Sequence, residues 1–418
     1  MNIHVANLTT WVVVLSFAGY YLVAGVSGLL DVPNTILSIS MRACVGALSA
    51  AVVLHSMTHL HQPPKLALWL LVILFLYGTR LFSQTIFDPC VLKQEGSIYW
   101  IWFIGTVIVP IIAVMTTKNL DGAKVQRLLI VMFGLAAIIT AANGSTTTFL
   151  EEEVYDTGRA ALASLNPISV GNLGASLSLI CLWAIFGAKK SSNIFKSFYF
   201  FGVILGLYLI FVASSRGPVF SIVAALGVMG LGLPPKKKKW FLFGSSVIIA
   251  TTLYYLLNNV SAEDFHFVIR LFSLFSDFES DGSNMERIGI YSTSLQQIFE
   301  SPFLGSSIEN TANRWDPHNL YLELFLATGF IGGLIPIIIL PLLVLRSIRL
   351  VKMGHSSSGI ALLYVYNFVG AQMSGNVYTN GGLWVSAMLV AVSQYPRSEK
   401  YKSNQLPTQD RRFPPSFN

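Results

Sequence analysis

Four long apolar runs, at 11–30, 98–117, 241–257 and 320–345, constrain this 418-residue chain more than any other feature. Each approaches or exceeds the roughly 20 residues a helix needs to cross the hydrocarbon core of a bilayer. Composition agrees: hydrophobic residues make up 53% of the chain and charged residues 11%. The expected fold class is all-α, a polytopic transmembrane helical bundle. About twelve spans are read, near 11–30, 36–56, 66–82, 98–117, 125–143, 167–187, 197–214, 216–233, 240–257, 319–345, 359–377 and 381–395. They form one transmembrane domain, 1–395, with a tail at 396–418 that is expected to be disordered. The first run is too long for a secretory leader and lacks its cleavage signal, so it is expected to stay. Only Ser, Gly and Pro mark the turn at 213–218, and without that turn the parity of every later span inverts.

Basic residues orient the bundle. With the N-terminus inside, the even-numbered connections and the tail hold Lys65, Lys118, Lys124, Arg127, Lys189, Lys190, Lys196, four consecutive lysines at 236–239, Arg346, Arg349, Lys352, Arg397, Lys400, Lys402, Arg411 and Arg412. Only Asp121, Glu399 and Asp410 oppose them. Positive residues stay on the cytoplasmic side, so both termini are expected there, with a periplasmic loop at 258–317. The same distribution excludes a nucleic-acid partner: the basic residues line a membrane surface and no aromatic residues interleave them. The lysine run reads as a topology anchor beside anionic lipid heads.

The remaining basic residues are Arg42, Arg80, Lys93, Arg159, Arg216, Arg270, Arg287 and Arg314, all but one of them arginine. Arginine offers a planar fork that binds phosphate through two parallel hydrogen bonds and keeps its charge. Arg42 and Arg80 lie within about two turns of the outer ends of their spans, where they can face a cavity or snorkel to lipid phosphate. Arg270 and Arg314 have aspartates close in sequence and are read as loop ion pairs. Cys44 and Cys181 fall within spans and Cys90 in an outer loop, so no disulfide framework is implied. No His/Cys cluster has metal-ligand spacing, Glu151, Glu152 and Glu153 read as a solvated loop, and neither a Walker nor a dinucleotide pattern occurs. No cofactor is expected.

Three outer segments carry candidate chemistry. SSRGP at 214–218 breaks one helix and starts another, and Arg216 with the exposed amides there makes an anion-ready helix start. ERIGIY at 286–291 opens an amphipathic stretch to Phe299, with Ile288, Tyr291, Leu295, Ile298 and Phe299 at helical spacing and Arg287 near its start. DPHNLYLE at 316–323 sets a histidine, an amide and a carboxylate where water meets membrane, and ionisable groups there are functional candidates. A plainer reading exists for this last segment: Pro317 starts a helix that Asp316 or Asn319 caps. Asn319 and Glu323 are four apart and share a helix face.

In this order and topology, SSRGP, ERIGIY followed by ESPFLGSS at 300–307, and DPHNLYLELFLATGFIGGL at 316–334 resemble the O-antigen ligase/polymerase superfamily of bacterial inner-membrane glycan enzymes. Arg159 followed by Asn166-Pro167 at the entry to the sixth span is similar to the family as well. The resemblance implies a metal-independent, inverting glycosyl transfer on the periplasmic side, from a glycan on undecaprenyl diphosphate. Arg216 and Arg287 match family arginines that neutralise the diphosphate, and His318 matches the family histidine that takes or orients the acceptor proton. Arg42, Arg80, Arg159, Ser215, Asn319 and Glu323 are expected to contact substrate. The acceptor is another lipid-linked glycan for a polymerase, or lipid A-core for a ligase. The short interval from Arg287 to His318 favours the polymerase, for which a chain-length regulator is a further expected partner. A transporter is the rival from another class, but no inverted repeat is visible and the ionisable groups cluster at the outer edge, not at the midplane.

The charge asymmetry makes a direct prediction. A cysteine at Ser283 reacts with a membrane-impermeant thiol reagent in whole cells, whereas one at Lys238 does not. The reverse labelling pattern removes the outer-face assignment of all three segments.

Overall fold

The computed structural model describes residues 2–30, 32–57, 62–89, 92–118, 120–144, 165–187, 193–244 and 282–394. Arg159, Arg270, Cys90, the glutamates at 151–153, most of the ninth expected span, the first part of the 258–317 loop and the 396–418 tail therefore lie outside the described residues. The helices are α1 (Asn2–Leu30), α2 (Asn34–Ser56), α3 (Lys65–Phe87), α4 (Gly96–Thr116), α5 (Gly122–Gly144), α6 (Pro167–Phe186), α7 (Asn193–Ala213), α8 (Arg216–Gly232), α9 (Gly282–Glu300), α10 (Leu320–Lys352), α11 (Ser358–Gly370) and α12 (Gly381–Val392). Residues 235–244 are also helical. Eight of these helices, α1 to α7 and α10, are long and apolar enough to cross a membrane. α8, α11 and α12 are shorter.

The turn at 213–218 exists. α7 stops at Ala213, Ser214 takes a left-handed backbone (φ 46), and α8 begins at Arg216 with Pro218 in its first turn. Two expected boundaries move. α11 ends at Gly370, not 377, because residues 371–380 form a polar loop. α12 ends at Val392 and, at 12 residues, is only about 18 Å long. Such short helices suit a protein-surrounded position, and Ile360–Tyr366 of α11 and Leu383–Ala391 of α12 are buried without interruption. α7 is the opposite case. Phe195, Phe198, Phe200, Phe201, Tyr208 and Phe211 are exposed, as an apolar face meant for lipid should be.

Helix ends sort into two sets. Asn166, Gly217, Pro218, His318, Gly370 and Gly381 all border one cavity. At the other ends of their helices, Lys124 donates to Asn7, Lys237 to the Phe186 carbonyl, and Arg346 to the Val390 and Ser393 carbonyls. α4 contains a π-helical turn, Phe103–Ile108.

α10 is broken at Gly329, whose backbone (φ 61, ψ −162) leaves the helical region between two helical stretches. The break is filled by the segment that follows α9. The Ser306 and Ser307 amides donate to the Leu326 carbonyl (2.8 and 3.3 Å), and the Phe330 and Ile331 amides donate to the Pro302 and Phe303 carbonyls (2.6 and 3.3 Å). Arg80 of α3 closes the arrangement, donating to the carbonyls of Ala327 (2.9 Å), Leu304 (2.6 Å) and Gly305 (2.8 Å). Backbone without a helical partner is tolerated at membrane depth only when the protein satisfies it, and here it does.

A side chain at 329 is excluded on two counts, since a Cβ would stand 2.4 Å from the Phe303 carbonyl and the backbone is left-handed. Gly354 shares the left-handed backbone (φ 59) but has open space around it. Gly354→Ala is expected to cost about 1 kcal/mol, the lower end of such strain, and Gly329→Ala clearly more. Thermal unfolding in detergent checks this. Equal shifts for the two variants would show that the inserted segment does not pack as described.

Candidate active site

Polar anchors hold the segment between α9 and α10. Asn310, fully buried, donates to the Thr293 and Ser294 hydroxyls of α9 (2.7 and 3.0 Å). Gln297 donates to the Ser306 hydroxyl and accepts from the Thr311 amide. Gln84 of α3 donates to the Ser307 hydroxyl and accepts from the Ile308 amide. Glu309, only 2% exposed, receives the Tyr99 hydroxyl (2.5 Å) and the Lys93 amide (2.9 Å). Burial pushes the Glu309 carboxyl up from its ordinary range, and those two hydrogen bonds act against the rise.

The 316–323 motif then fastens a second loop. Asp316 Oδ2 accepts from the Asn376 amide nitrogen (2.9 Å), and the Asn319 side-chain amide donates to the Gln372 carbonyl (3.1 Å). The Leu320 amide donates to the Ala371 carbonyl (2.9 Å). Glu323, fully buried, accepts the Val377 amide on both oxygens (3.0 Å each) and the Tyr77 hydroxyl (2.7 Å). Asn319 also caps α10, its Oδ1 accepting from the Tyr321 and Leu322 amides. His318 stands between these anchors in a left-handed backbone (φ 52), a conformation that costs a side-chain-bearing residue about 1–3 kcal/mol. Ser214 and His318, two of the three non-glycine residues with this backbone among those described, belong to two of the three sequence motifs.

Both loops open onto a cavity of about 530 Å³. His318, Asp316, Arg42, Lys93, and Gly217 with Pro218 at the start of α8 line it. Arg42 lies over the Trp102 and Tyr20 rings (5.0 and 5.8 Å), which holds its guanidinium against the wall. Lys93 Nζ sits 3.3 Å from the Trp315 ring centre, and His318 meets the same indole edge-on. Burial raises the Asp316 carboxyl, while the Asn376 amide, His318 and Lys93 favour its charged form. The cavity therefore offers cations, a histidine and a carboxylate together, which is the equipment for holding an anion while a proton moves nearby.

The structure separates the residues singled out from sequence. His318, Arg42 and the α8 start come together at the cavity. Arg216 is the first residue of α8 and Ser215 its buried N-cap, next in sequence to the lining Gly217 but not themselves among the lining residues. Arg287 lies on α9 and is not among the lining residues. Arg80 is directed to backbone carbonyls, an alternative to both the cavity and the snorkelling positions expected for it. Asn319 and Glu323 are engaged with the backbone, so the capping reading holds for Asn319 and Glu323 is a fastener. Glu309 and Asn376 enter the site without having been singled out, while Lys93 was noted only among the outer basic residues and Asp316 only as a cap candidate. An acid and an aspartate inside a named motif were the available signals. Nothing local distinguishes Lys93.

Glu323 supplies a quantitative check. Glu323→Ala leaves the Val377 amide and Tyr77 hydroxyl buried without an acceptor, a loss of about 3 kcal/mol or more. Asn319→Ala removes one helix cap, about 1 kcal/mol. Unfolding temperatures in detergent should fall in that order, and a Glu323→Ala variant as stable as wild type would contradict the fastening role.

No curated protein matches the chain. The family model described as O-Antigen ligase matches residues 201–337, which run from α7 through the α8 start, α9 and both anchored motifs into α10. That match bears out, over residues 201–337, the resemblance to the O-antigen ligase/polymerase superfamily read from SSRGP, ERIGIY and DPHNLYLE in this all-helical, multi-pass membrane protein.

Proposed function

We propose that the protein transfers a glycan from undecaprenyl diphosphate to an acceptor sugar at the periplasmic face of the bacterial inner membrane. The observation that carries this reading is the meeting of His318 and the α8 helix start, both inside the segment matched by the family, with Arg42 and Lys93 on one cavity. In the reaction, an acceptor hydroxyl oxygen attacks the anomeric carbon of the donor glycan. The bond from that carbon to the diphosphate oxygen breaks, and the lipid diphosphate leaves with the electron pair. A single displacement of this kind inverts the anomeric configuration. His318 takes or orients the hydroxyl proton, a role that an imidazole serves in general acid–base chemistry. Arg216 and Arg287 neutralise the leaving diphosphate, with Arg42 and Lys93 adding positive charge at the wall. Arg80 and Glu323 act one step removed, by holding the two loops in place.

Polymerisation of lipid-linked repeats is the favoured activity and transfer to lipid A-core the alternative. The short connection from α9 to His318 supports the former, because a lipid A-core acceptor needs more room. A deletion strain's surface glycan separates them: a single repeat on the core indicates a lost polymerase, and bare core with accumulated lipid-linked polymer indicates a lost ligase.

Purified variants test the roles. Arg216→Lys and Arg287→Lys should weaken donor-lipid binding as well as turnover, since lysine lacks the bidentate fork. His318→Ala should keep donor binding and lose about 100- to 10,000-fold in rate. Transfer should continue in EDTA. Full activity of His318→Ala would refute the mechanism, and loss in EDTA with rescue by a divalent ion would refute its metal-free character.

A further inference from the structure

Two buried side-chain atoms on the cavity wall, Asp316 Oδ1 and Asn367 Nδ2, make no hydrogen bond among the described residues, although the Tyr378 hydroxyl lies close enough to the Asp316 carboxyl to favour its charge. One is an acceptor and the other a donor. Each belongs to a residue whose surroundings are otherwise settled. The second oxygen of Asp316 is held by Asn376, whose own Oδ1 accepts from the Thr379 amide and hydroxyl, so the 376–379 turn fixes the carboxylate. Asn367 follows Tyr366 on α11, and the Tyr366 hydroxyl is donated across the cavity wall to Asn172. Buried polar groups are nearly always paired, so an orphaned acceptor and an orphaned donor on one cavity mark where a ligand supplies the complement. A hydroxyl both donates and accepts, and satisfies such a pair in a way that neither an anion nor a cation can.

The remaining wall narrows the ligand class. Tyr20, Tyr21, Trp102 and Trp315 contribute aromatic surface, and Asn166 and Asn172 contribute neutral polar groups. Mixed apolar and hydroxyl-binding surface suits a sugar ring, with its C–H faces and hydroxyl edge. The other carboxylate on the wall, Glu309, has its oxygens occupied by Tyr99 and Lys93. Burial raises the Asp316 carboxyl while the Asn376 amide, His318 and Lys93 favour its charged form, and in that form it disfavours both a uronic acid and the donor diphosphate at that point. It stands two residues before His318 on the same cavity wall.

We propose that Asp316 Oδ1 and Asn367 Nδ2 bind the hydroxyl edge of an uncharged sugar ring of the acceptor and so set which ring is presented to His318. The proposal rests on the glycan-transfer reading for the word acceptor, but not for the existence of the sugar subsite.

The test uses the purified full-length protein without donor. The probe is a neutral repeat-unit oligosaccharide released from the host's own surface polysaccharide, with binding measured by titration calorimetry. Wild type is expected to bind it, and Asp316→Asn and Asn367→Leu each to weaken binding about tenfold or more, the usual effect of losing a hydrogen bond in a buried site. In a transfer assay the same variants should raise the acceptor KM and leave the donor KM unchanged, which a merely structural role would not do. Should either variant fail to fold, wild type titrated with the oligosaccharide lacking one terminal hydroxyl should show the corresponding loss. The proposal is overturned if wild type does not bind the neutral oligosaccharide, or binds an acid-terminated one equally well. It is also overturned if neither the substitutions nor the deoxygenated probes change affinity. Wild type that binds the sugar but never consumes a lipid-linked donor would instead refute glycan transfer and leave the subsite standing.

Discussion

The arrangement on which the rest depends is the interruption of α10. A helix interrupted near membrane depth exposes carbonyls and amides that lipid cannot satisfy, and each one left bare would cost more than a single hydrogen bond contributes. Residues 302–307 supply complementary backbone groups, and Arg80 satisfies the carbonyls that remain. Because that segment is tied into the break, the chain leaving it has little freedom. Gln84 takes Ser307 and Ile308, Tyr99 and Lys93 take Glu309, and α10 begins at Leu320 with His318 just outside. The position of the histidine follows from the repair of a backbone break at Gly329, further along the chain.

Charged residues of this half of the molecule divide by the company they keep. Arg80, Glu309 and Glu323 are matched to backbone groups and hydroxyls, and their service is to fix loops that have no regular structure. Arg42, Lys93, Asp316 and His318 border open space. The fixed set makes the open set possible. A loop crossing the mouth of a bundle would otherwise sample many conformations, and a proton-transfer group on it would be out of place most of the time. Left-handed backbone at Ser214 and His318 belongs in the same account, since surrounding contacts must impose such conformations.

Much of the helical layout was legible because apolar runs in a membrane leave few alternatives. Asn34–Ser56, Gly96–Thr116 and Pro167–Phe186 lie within a few residues of the expected spans, and the Ser-Gly-Pro turn before α8 was marked only by its breakers. The end of α11 was misjudged because Val369 to Met373 remain largely apolar, while the partners that draw Gln372 and Asn376 out of a helix are Asn319 and Asp316, just before α10. Motif recognition found the right segments and a mixture of roles. His318 was separable from Asn319 because capping never needs a histidine. Glu323 was not, since a buried acid paired with an amide 54 residues away looks identical in sequence to one facing substrate. Arg80 shows the same limit, because its carbonyl partners lie more than 200 residues downstream. Asn367 is a lone amide in an apolar helix, and only the shape of the cavity gives it meaning.

The π-helical turn of α4 governs how this helix tolerates changes of length. It adds a residue to one turn, and each residue of an α-helix rotates the following side chains by about 100°. Upstream, Tyr99 reaches Glu309; at the turn's edge Trp102 stacks on Tyr378, and downstream Ile111 and Val114 enter the core. Replacing a residue in 103–108 leaves this phasing intact. Deleting one would restore an ordinary helix and turn either the cavity wall or the core face away from its partners. Among relatives of this chain, α4 should therefore vary in composition far more readily than in length.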